Sequence, residues 1–365
     1  MDNHRVCIIS VADKRHMTMV SMFTNYFKNR GICYDIIRTG RYGENLGRTV
    51  SDILDDTSLK VLGKEFVYEI KQSTGVKKYK KIKKYLEFRC EALKIIKNKN
   101  YDFFVVWNEN TGLLFSDILS KRKFCLCIRD EYKSIFFRRW INHVMRNSVF
   151  WTCPCLLGHK YTAEDKKIMC YNRDYNLLKL ISPKNNFNKK IPIRITFLGL
   201  YHAAPETFKR TCDAFLNDER FILQFFGDGF DTLLREYANS ISMNNIITKG
   251  AFSYEKTAEY LEETDIINSY YNVDTVKYAA GIKESYTPML YIPGIVDESF
   301  WGDISKKYGF SYVIKQHELD KTPDRLYKWY KELDFEEFKR GCNEFNKIID
   351  STTASLYEIL DHKLF

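Results

Sequence analysis

The chain has 365 residues, which is enough for two ordinary domains with a hydrophobic core each. With 45% hydrophobic residues, 15% aromatic residues and only seven prolines, we expect a folded protein without long linkers. No apolar run approaches the roughly 20 residues that cross a bilayer, and the net charge of +10 comes without a nucleic-acid-binding module, so the sequence argues against a membrane-spanning protein and against nucleic acid as a partner.

The first predicted element is a buried strand over Arg5–Ser10, because its apolar run is too short and wrongly flanked for a signal peptide. We therefore expect a cytoplasmic protein. A loop containing Asp13 and His16 follows, and then a helix that runs to about Asn29. The further strands predicted in this half are Cys33–Arg38, Asp102–Trp107, Phe124–Ile128 and Val149–Leu156. Strands that alternate with helices predict a parallel, doubly wound α/β sheet.

A strongly basic helix is predicted between the second and third of these strands. Its lysines are Lys77, Lys78, Lys80, Lys81, Lys83 and Lys84. Apolar residues recur among them at spacings of three and four, which predicts a buried stripe opposite a lysine face: Val76, Tyr79, Ile82, Leu86, Cys90 and Leu93. One interpretation is a solvated outer helix. The other is attraction to anionic lipid head groups, about 1 kcal/mol per basic residue, which would place the protein at the inner face of the membrane. Residues 135–140 (IFFRRW) repeat this mixture of basic and aromatic side chains.

The ten cysteines do not have the spacing of a metal site or a disulfide framework. Several lie inside apolar runs, where a free thiol behaves as a small hydrophobic group. The pairs Cys125/Cys127 and Cys153/Cys155 have a strand period, whereas zinc sites use wider spacings and a matching second pair. We expect buried, reduced thiols.

The same strand–helix pattern restarts after a polar stretch at residues 182–190 (SPKNNFNKK), so domains are predicted over residues 1–185 and 186–365. The predicted strands and helices are, in order, Ile193–Leu198, Pro205–Asn217, Phe221–Phe226, Asp231–Asn239, Asn245–Lys249 and Tyr254–Glu263. The last segment, Thr322–Leu364, is expected to be helical.

Several strand-like runs of this half end at small or polar residues. Gly199 follows the first run, Gly227 and Asp228 follow the second, and Lys249 and Asn268 lie at the ends of two others. Because parallel strands end at one edge of the sheet, these residues are predicted to share the edge at which α/β folds bind nucleotides and phosphates.

The order of these motifs resembles the donor domain of bacterial capsular-polysaccharide and related glycosyltransferases. The motifs are ITFLGLYH, FILQFFGDG, TDIINSYY, and Lys283 ten residues before Pro293. The N-terminal half is similar in layout, including CIRDEY at residues 127–132, so the resemblance covers nearly the whole chain. It implies the GT-B architecture, two Rossmann-like domains facing each other across a cleft, with the acceptor bound by the first domain and the donor by the second.

The activity that this resemblance implies is transfer of a sugar from a nucleotide-sugar donor to a hydroxyl of a glycan or polyprenyl-linked saccharide, in the biosynthesis of capsule or other surface polysaccharides. The donor diphosphate would meet backbone N–H groups at a helix N-terminus, together with the Lys283 charge. Glu284 is expected either to bind a ribose hydroxyl pair or to act as a partner of the helix dipole. The donor-site candidates are Gly199, Gly227, Asp228, Lys249, Asn268, Lys283, Glu284 and Ser285.

The catalytic and acceptor-binding candidates lie on loops after strands of the first half. An inverting transfer needs a general base near the acceptor hydroxyl, and the candidates are Asp13, His16 and Glu109. A helix-capping Asp and a surface His are the alternatives for the first two. Asn108, Arg129 and Asp130 are expected to bind the acceptor. Because no Asp-x-Asp pair is suited to holding a metal against the diphosphate, we expect metal-independent transfer without a cofactor.

The sequence departs from the family pattern where many retaining members carry two glutamates. Counting back from Pro293, Tyr286 and Tyr278 occupy those positions. The usual Arg/Lys pair is not evident either, since Lys209 and Arg210 lie on another stretch. The stereochemical course therefore stays open, and so does a catalytically silent sugar-nucleotide or membrane-surface binding protein. A dehydrogenase is a further alternative, disfavoured because no G-x-G-x-x-G follows the first strand.

Overall fold

The computed structural model describes residues 4–12, 17, 20–41, 63–70, 78–129, 134–154, 164–272, 281–315 and 317–364. The chain forms two compact units. The first comprises Met1–Cys170 together with Thr352–Phe365, and the second is Tyr171–Ser351. The division thus falls earlier than the one expected between residues 185 and 186, and the end of the chain groups with the first unit.

The first unit is built on a parallel sheet with seven strands among the described residues. They are β1 (Arg5–Ser10), β2 (Cys33–Arg41), β3 (Glu65–Ile70), β4 (Phe103–Trp107), β5 (Phe124–Cys127), β6 (Phe150–Cys153) and β7 (Lys167–Met169). Their spatial order is β3-β2-β1-β4-β5-β6-β7. The order reverses between β1 and β4, and doubly wound sheets bind ligands beyond the carboxyl ends of strands at such a point.

The strand order determines on which face of the sheet several helices of the first unit lie. They are α1 (Val20–Asn29), α2 (Lys78–Asn98), α3 (Glu109–Leu114), α4 (Ser116–Leu119) and α5 (Ile135–Asn147). The connections that contain α2, α3 and α5 all cross the sheet in the same direction, and α3 packs against both α2 and α5. Right-handed crossovers therefore place these three helices on one face of the sheet.

Helix α2 buries a different face from the one expected. Its buried side chains in the described part are Phe88, Ala92 and Ile96, whereas Ile82 and Leu86 are 60% and 51% exposed. Cys90 is exposed as well. The predicted apolar stripe was wrong at Ile82, Leu86 and Cys90, because the period taken through the lysine-rich part of the helix does not continue into the face that packs on the sheet.

The second unit contains a parallel sheet of six strands in the part of the chain that is described. The strands are β8 (Ile193–Leu198), β9 (Phe221–Phe226), β10 (Ile246–Lys249), β11 (Ile266–Ser269), β12 (Gly294–Asp297) and β13 (Ser311–Ile314). Their order is β10-β9-β8-β11-β12-β13, so the reversal lies between β8 and β11. The helices are α6 (Pro205–Ala214), α7 (Arg235–Ser240), α8 (Lys256–Glu262), α9 (Ile282–Leu290), α10 (Phe300–Tyr308), α11 (Thr322–Glu332) and α12 (Phe335–Leu364).

Two further sequence expectations concern cysteines and membrane spans. Nine cysteines fall in the described ranges; all are free thiols, and all but Cys33 and Cys90 are buried. The expectation of buried, reduced thiols is confirmed for those seven. Among the helices for which the structure gives coordinates, none combines the length and apolar character needed to cross a bilayer.

Candidate functional site

The reversal of strand order in the second unit brings several predicted residues to one crevice. Gly199 directly follows β8, and Asn268 and Ser269 end β11, the neighbouring strand. Helix α9 begins close by, because the ammonium of Lys283 in its first turn approaches Gly199: a Cβ built on Gly199 would lie 3.5 Å from Lys283 Nζ. Gly199, Asn268 and Lys283 are therefore grouped at the carboxyl edge of the sheet.

Lys283 is held in an aromatic cage and lacks a polar partner. The residue is only 7% exposed, and its Nζ has no hydrogen-bond partner within the described residues. Nζ lies 3.4 Å from the centre of the Phe197 ring and 4.4 Å from that of the Tyr271 ring. Two aromatic faces attract an ammonium but leave its N–H donors unused. The cation is thus available to an incoming anion.

The pKa of Lys283 lies close to neutral pH. Burial lowers the pKa of its ammonium to about 7, and the attraction of the Glu284 carboxylate opposes this shift. Near neutral pH the lysine is therefore close to the midpoint between its charged and neutral forms. An anion beside Nζ would favour the charged form, so anion binding at this position is expected to take up a proton.

Glu284 folds back over the beginning of α9. Glu284 is the third residue of α9, and Gly281 is the N-cap of this helix. A Cβ on Gly281 would overlap the Glu284 carboxylate. Burial raises the pKa of Glu284, while the Lys283 charge and hydrogen bonds from the backbone N–H groups of Glu284 and Gly281 counter that effect. This is half of a capping box, because the N-cap glycine has no side chain to bond in return. The Glu284 Oε2 atom is buried without a hydrogen-bond partner among the described residues. A phosphate at this end would have to displace the carboxylate.

Three polar residues near the crevice were missed by the sequence analysis. The hydroxyls of Ser269 and Tyr270 are buried and have no hydrogen-bond partner in the described ranges. Asp297, the last residue of β12, accepts hydrogen bonds from the backbone N–H groups of Tyr271 (3.0 Å) and Asn272 (2.8 Å). Burial raises the pKa of Asp297. The signal for Asp297 was present, since an apolar run that ends at a polar residue had identified the other strand ends.

Gly199 and Gly227 approach each other so closely that a side chain between them would not fit. Gly227 has a φ of 141°, and a Cβ there would overlap the carbonyl oxygen of Gly199. The backbones after β8 and β9 can approach this closely only without a side chain. Their hydrogen bonds continue the sheet, since Gly199 N–H donates to Phe226 (2.9 Å) and Gly227 N–H donates to Lys249 (3.0 Å).

The remaining donor candidates lie away from the crevice or are engaged locally. Asp228 is exposed, and its carbonyl accepts a hydrogen bond from Tyr201 N–H at 3.0 Å. Lys249 is exposed at the end of β10, which is the edge strand of the sheet. Ser285 donates its hydroxyl to the carbonyl of Ile282 at 2.6 Å, within α9. The Asn268 side chain accepts a hydrogen bond from Tyr270 N–H at 2.9 Å.

Tyr286, at the position of a family glutamate, belongs to the hydrophobic core. It is 4% exposed and packs in a cluster with Leu198, Phe226 and Met289. Burial and the nearby Asp174 carboxylate raise the pKa of its phenol well above the usual value. Asp174 accepts a hydrogen bond from Tyr254 at 2.7 Å, and its second oxygen is buried without a partner among the described residues. A carboxylate is therefore present near this position, but it comes from another part of the chain.

In the first unit, the described candidates surround the end of β4. Asn108 caps α3, and its side chain accepts hydrogen bonds from the N–H and the hydroxyl of Thr111, both at 2.9 Å. Glu109 is 1% exposed, and its carboxylate accepts the backbone N–H of Arg129. The Arg129 guanidinium lies over the Trp107 ring at 5.0 Å. Glu109 thus links the ends of β4 and β5, and a catalytic role for it stays a prediction.

Some of the predicted residues lie outside the described part of the chain. These are Asp13, His16, Lys77, Asp130 and Tyr278. Among the residues that are described, no group of three or more His, Cys, Asp or Glu side chains is arranged to hold a metal ion.

Two parallel α/β sheets, each with a reversal of strand order, define the class of fold: two Rossmann-like domains in one chain, the GT-B fold.

Solved structures similar to this chain belong to the same class. Sucrose-phosphate synthase from Thermosynechococcus elongatus has a TM-score of 0.74 at 10% identity, over 98% of both chains. A glycosyltransferase from Rickettsia africae has a TM-score of 0.68 at 14% identity, over 100% of this chain and 99% of that one. HepE from Anabaena, in complex with UDP, has a TM-score of 0.65 at 9% identity, over 98% and 100%. No protein-family model and no curated protein sequence matches the chain.

Proposed function

We propose that the protein is a glycosyltransferase that moves a sugar from a nucleotide-sugar donor to a hydroxyl of a glycan or lipid-linked saccharide in the biosynthesis of surface polysaccharides such as capsule. The observation that carries the proposal is the buried Lys283 ammonium, which has no polar partner among the described residues and lies at the start of α9, beside the reversal of strand order. Support comes from the GT-B fold and from a structural neighbour solved with UDP. The surface-polysaccharide role rests on the order of the sequence motifs.

In this proposal the second unit binds the donor diphosphate. The first N–H groups of α9 and the Lys283 ammonium would contact the phosphate oxygens, and Gly199 leaves room beside Nζ. As the sugar–phosphate bond breaks, negative charge grows on the departing diphosphate. A preorganised cation and helix N-terminus stabilise that charge without further reorganisation. Transfer would need no metal, so EDTA is expected to leave the rate unchanged.

The acceptor would bind to the first unit. Asn108 and Arg129 lie at the carboxyl edge of its sheet, beside β4 and β5, where the fold class places ligands. The general base of an inverting route would come from the same edge. The fold does not determine the acceptor, because one GT-B scaffold serves many acceptors through changes in its loops.

Ligand-dependent stability tests the nucleotide part of this proposal. We expect UDP or another nucleoside diphosphate to raise the melting temperature, because ligand at 100 times its dissociation constant adds about 2.7 kcal/mol to the free energy of unfolding. The measurement is differential scanning fluorimetry with UDP, GDP, CMP and NAD. Stabilisation by NAD alone would favour a dehydrogenase and contradict the proposal.

A transfer assay then separates an enzyme from a silent binding protein. Radiolabelled nucleotide sugar and a polyprenyl-linked acceptor should give a labelled lipid product. Donor binding without transfer to any acceptor, and without donor hydrolysis, would favour the alternative of a catalytically silent sugar-nucleotide binding protein. Tyr286 supports that alternative, because many retaining family members carry a glutamate at this position and this chain does not.

Glu284 offers a test of how the donor approaches α9. We expect Glu284→Gln to strengthen UDP binding about three- to tenfold, because the carboxylate repels phosphate and competes for the same N–H groups. Isothermal titration calorimetry measures the effect. If the carboxylate instead binds the ribose hydroxyls, the same substitution should weaken binding, and Glu284 would be assigned to the ribose.

A further inference from the structure

Helix α5 of the first unit exposes an aromatic surface. Ile135 is 62% exposed, Phe136 68%, Phe137 40% and Trp140 37%. Thirteen large hydrophobic side chains are exposed over the described ranges, and every Phe or Trp among them lies on this helix. Burying such rings is worth several-fold in affinity each, so a cluster of them at the surface indicates a contact with another surface.

The aromatic cluster is ordered rather than scattered. The Phe136 ring packs against Phe137 with centroids 5.7 Å apart and against Trp140 with centroids 6.2 Å apart, both in edge-on geometry. The opposite face of α5 is anchored in the core through Ile141, Val144 and Met145. The exposed rings are therefore presented by a helix that is fixed to the sheet.

Basic side chains border these rings. Arg139 and Arg146 are exposed on the same helix, and α5 contains no acidic residue. Arg139 makes no ion pair within the described residues. Local stability does not account for its position, because a cation near the beginning of a helix is disfavoured by the helix dipole. The helix therefore exposes the Phe136 and Trp140 rings next to the Arg139 guanidinium.

Helix α2 carries the same combination on the same face of the sheet. Ile82 and Leu86 are exposed there, and Lys83 is exposed beside them. Because α3 packs against both α2 and α5, the two surfaces share one side of the first unit. Lys83, one of the lysines singled out in the sequence, thus lies on this side of the first unit, with its ammonium 4.0 Å from the Glu87 carboxylate.

We propose that this face, formed by α5 around Phe136, Arg139 and Trp140 and extended by α2, docks on an anionic lipid bilayer. Phe and Trp side chains enter the boundary between head groups and acyl chains, while Arg and Lys side chains attract anionic head groups. Both requirements are met on one face, and the positive charge selects an anionic bilayer. The inference goes beyond the transfer reaction and does not depend on it.

Flotation with vesicles tests the docking surface. The wild-type chain should float with phosphatidylcholine vesicles that contain phosphatidylglycerol, and much less with pure phosphatidylcholine or at high salt. Phe136→Ser combined with Trp140→Ser should lower partitioning at least about tenfold, and Arg139→Glu about fivefold or more. The matched control is Leu216→Ser with Leu233→Ser, which removes two exposed apolar side chains from the second unit.

The same samples separate this proposal from its alternatives. UDP stabilisation of each variant should equal that of the wild type, which shows that the variants fold and keeps membrane docking independent of donor binding. Failure of the wild type to float at low salt would overturn the proposal. So would a wild-type dimer in analytical ultracentrifugation that the double serine variant converts to a monomer, because the aromatic face would then bind a second copy of the chain.

Discussion

Replacing Lys283 by methionine is expected to weaken UDP binding about 30-fold or more. The substitution keeps the length and apolar stem of the side chain but removes the charge that the Phe197 and Tyr271 rings hold beside Gly199. Loss of a buried charge that pairs with a ligand phosphate typically costs about 2–5 kcal/mol of binding free energy. Isothermal titration calorimetry at pH 7 measures the change. An unchanged affinity would contradict the assignment of Lys283 to the diphosphate.

The matched control is Lys339→Met. The Lys339 ammonium also lies near two aromatic rings, 5.9 Å from both Tyr291 and Phe335. Tyr291 follows α9, so this lysine lies near the opposite end of that helix from Lys283. We expect wild-type affinity for UDP in this variant. Equal losses in the two variants would point to general disturbance of the unit rather than to a phosphate contact.

The pH dependence of binding follows from the lowered pKa of Lys283. The free protein loses the lysine charge as the pH rises through about 7, whereas a bound diphosphate would hold it at higher pH. The ratio of wild-type to Lys283→Met affinity should therefore fall as the pH rises from 7 to about 9. Using the ratio cancels the titration of the nucleotide itself, and a constant ratio would contradict the linkage.

Replacing Lys283 by methionine should raise the free energy of unfolding, although it weakens UDP binding. The folded pKa of Lys283, about 7, lies below its usual 10.5, so the unfolded chain binds more protons between these values. Burial of Lys283 thus destabilises the wild type most below about pH 7, and the penalty fades as the pH rises. In a Glu284→Gln background, which avoids a buried lone carboxylate, Lys283→Met should add about 1–3 kcal/mol at neutral pH. Urea unfolding measures the gain.

Gly227→Ala is expected to lower the free energy of unfolding by at least about 4 kcal/mol. Two causes combine: the φ of 141° is unfavourable for any residue with a Cβ, and that Cβ would overlap the Gly199 carbonyl. Both partners are backbone atoms tied into the sheet, so neither can swing away as a side chain would. The measurement is the urea midpoint and slope of the purified variant.

Gly309→Ala isolates the contribution of backbone conformation. Gly309 also has a positive φ, 69°, but a Cβ there would meet nothing within 4 Å. This variant should lose only about 1 kcal/mol. If Gly227→Ala costs no more than Gly309→Ala, the close approach of the two chain segments is not a determinant of stability.

Most strands in the centres of the two sheets could be predicted from the sequence alone. β8 and β9 begin and end at the predicted residues, because strands that are largely buried read as runs of mainly apolar residues. β3, β7, β12 and β13 were missed. β3, β7 and β13 are edge strands with partly exposed side chains, whereas β12 lies inside its sheet but is only four residues long. Polar and basic residues of the edge strands, such as Glu65 and Lys167, interrupt the pattern on which the other predictions depended.

Only the part of the candidate site that lies at the ends of strands could be predicted from the strand pattern. The pattern of strand ends placed Gly199 and Asn268 at one edge, because strand ends in a parallel sheet share a side, and the family resemblance added Lys283. The pattern could not predict the cage around Lys283, since Phe197 lies on β8 and Tyr271 follows β11, and the two rings meet the lysine only in three dimensions. Nor could it predict that Lys249 ends an edge strand, because strand order depends on crossovers that sequence periodicity does not report.

Helix α12 has a consequence for how the polypeptide folds during synthesis. Its last part, from Thr352 to Leu364, about 20 Å of helix, belongs to the first unit. There Tyr26 donates its hydroxyl to Asp361 at 2.7 Å, and Tyr357 donates to the Met22 carbonyl at 3.0 Å. A ribosome delivers those partners more than 300 residues after α1. Synthesis of the first unit thus starts before that of the second unit and ends after it, because all residues of the second unit lie between the two parts of the first. The Tyr26 ring of α1, which packs against Tyr357 in the folded unit, therefore waits for that contact until the end of the chain is made.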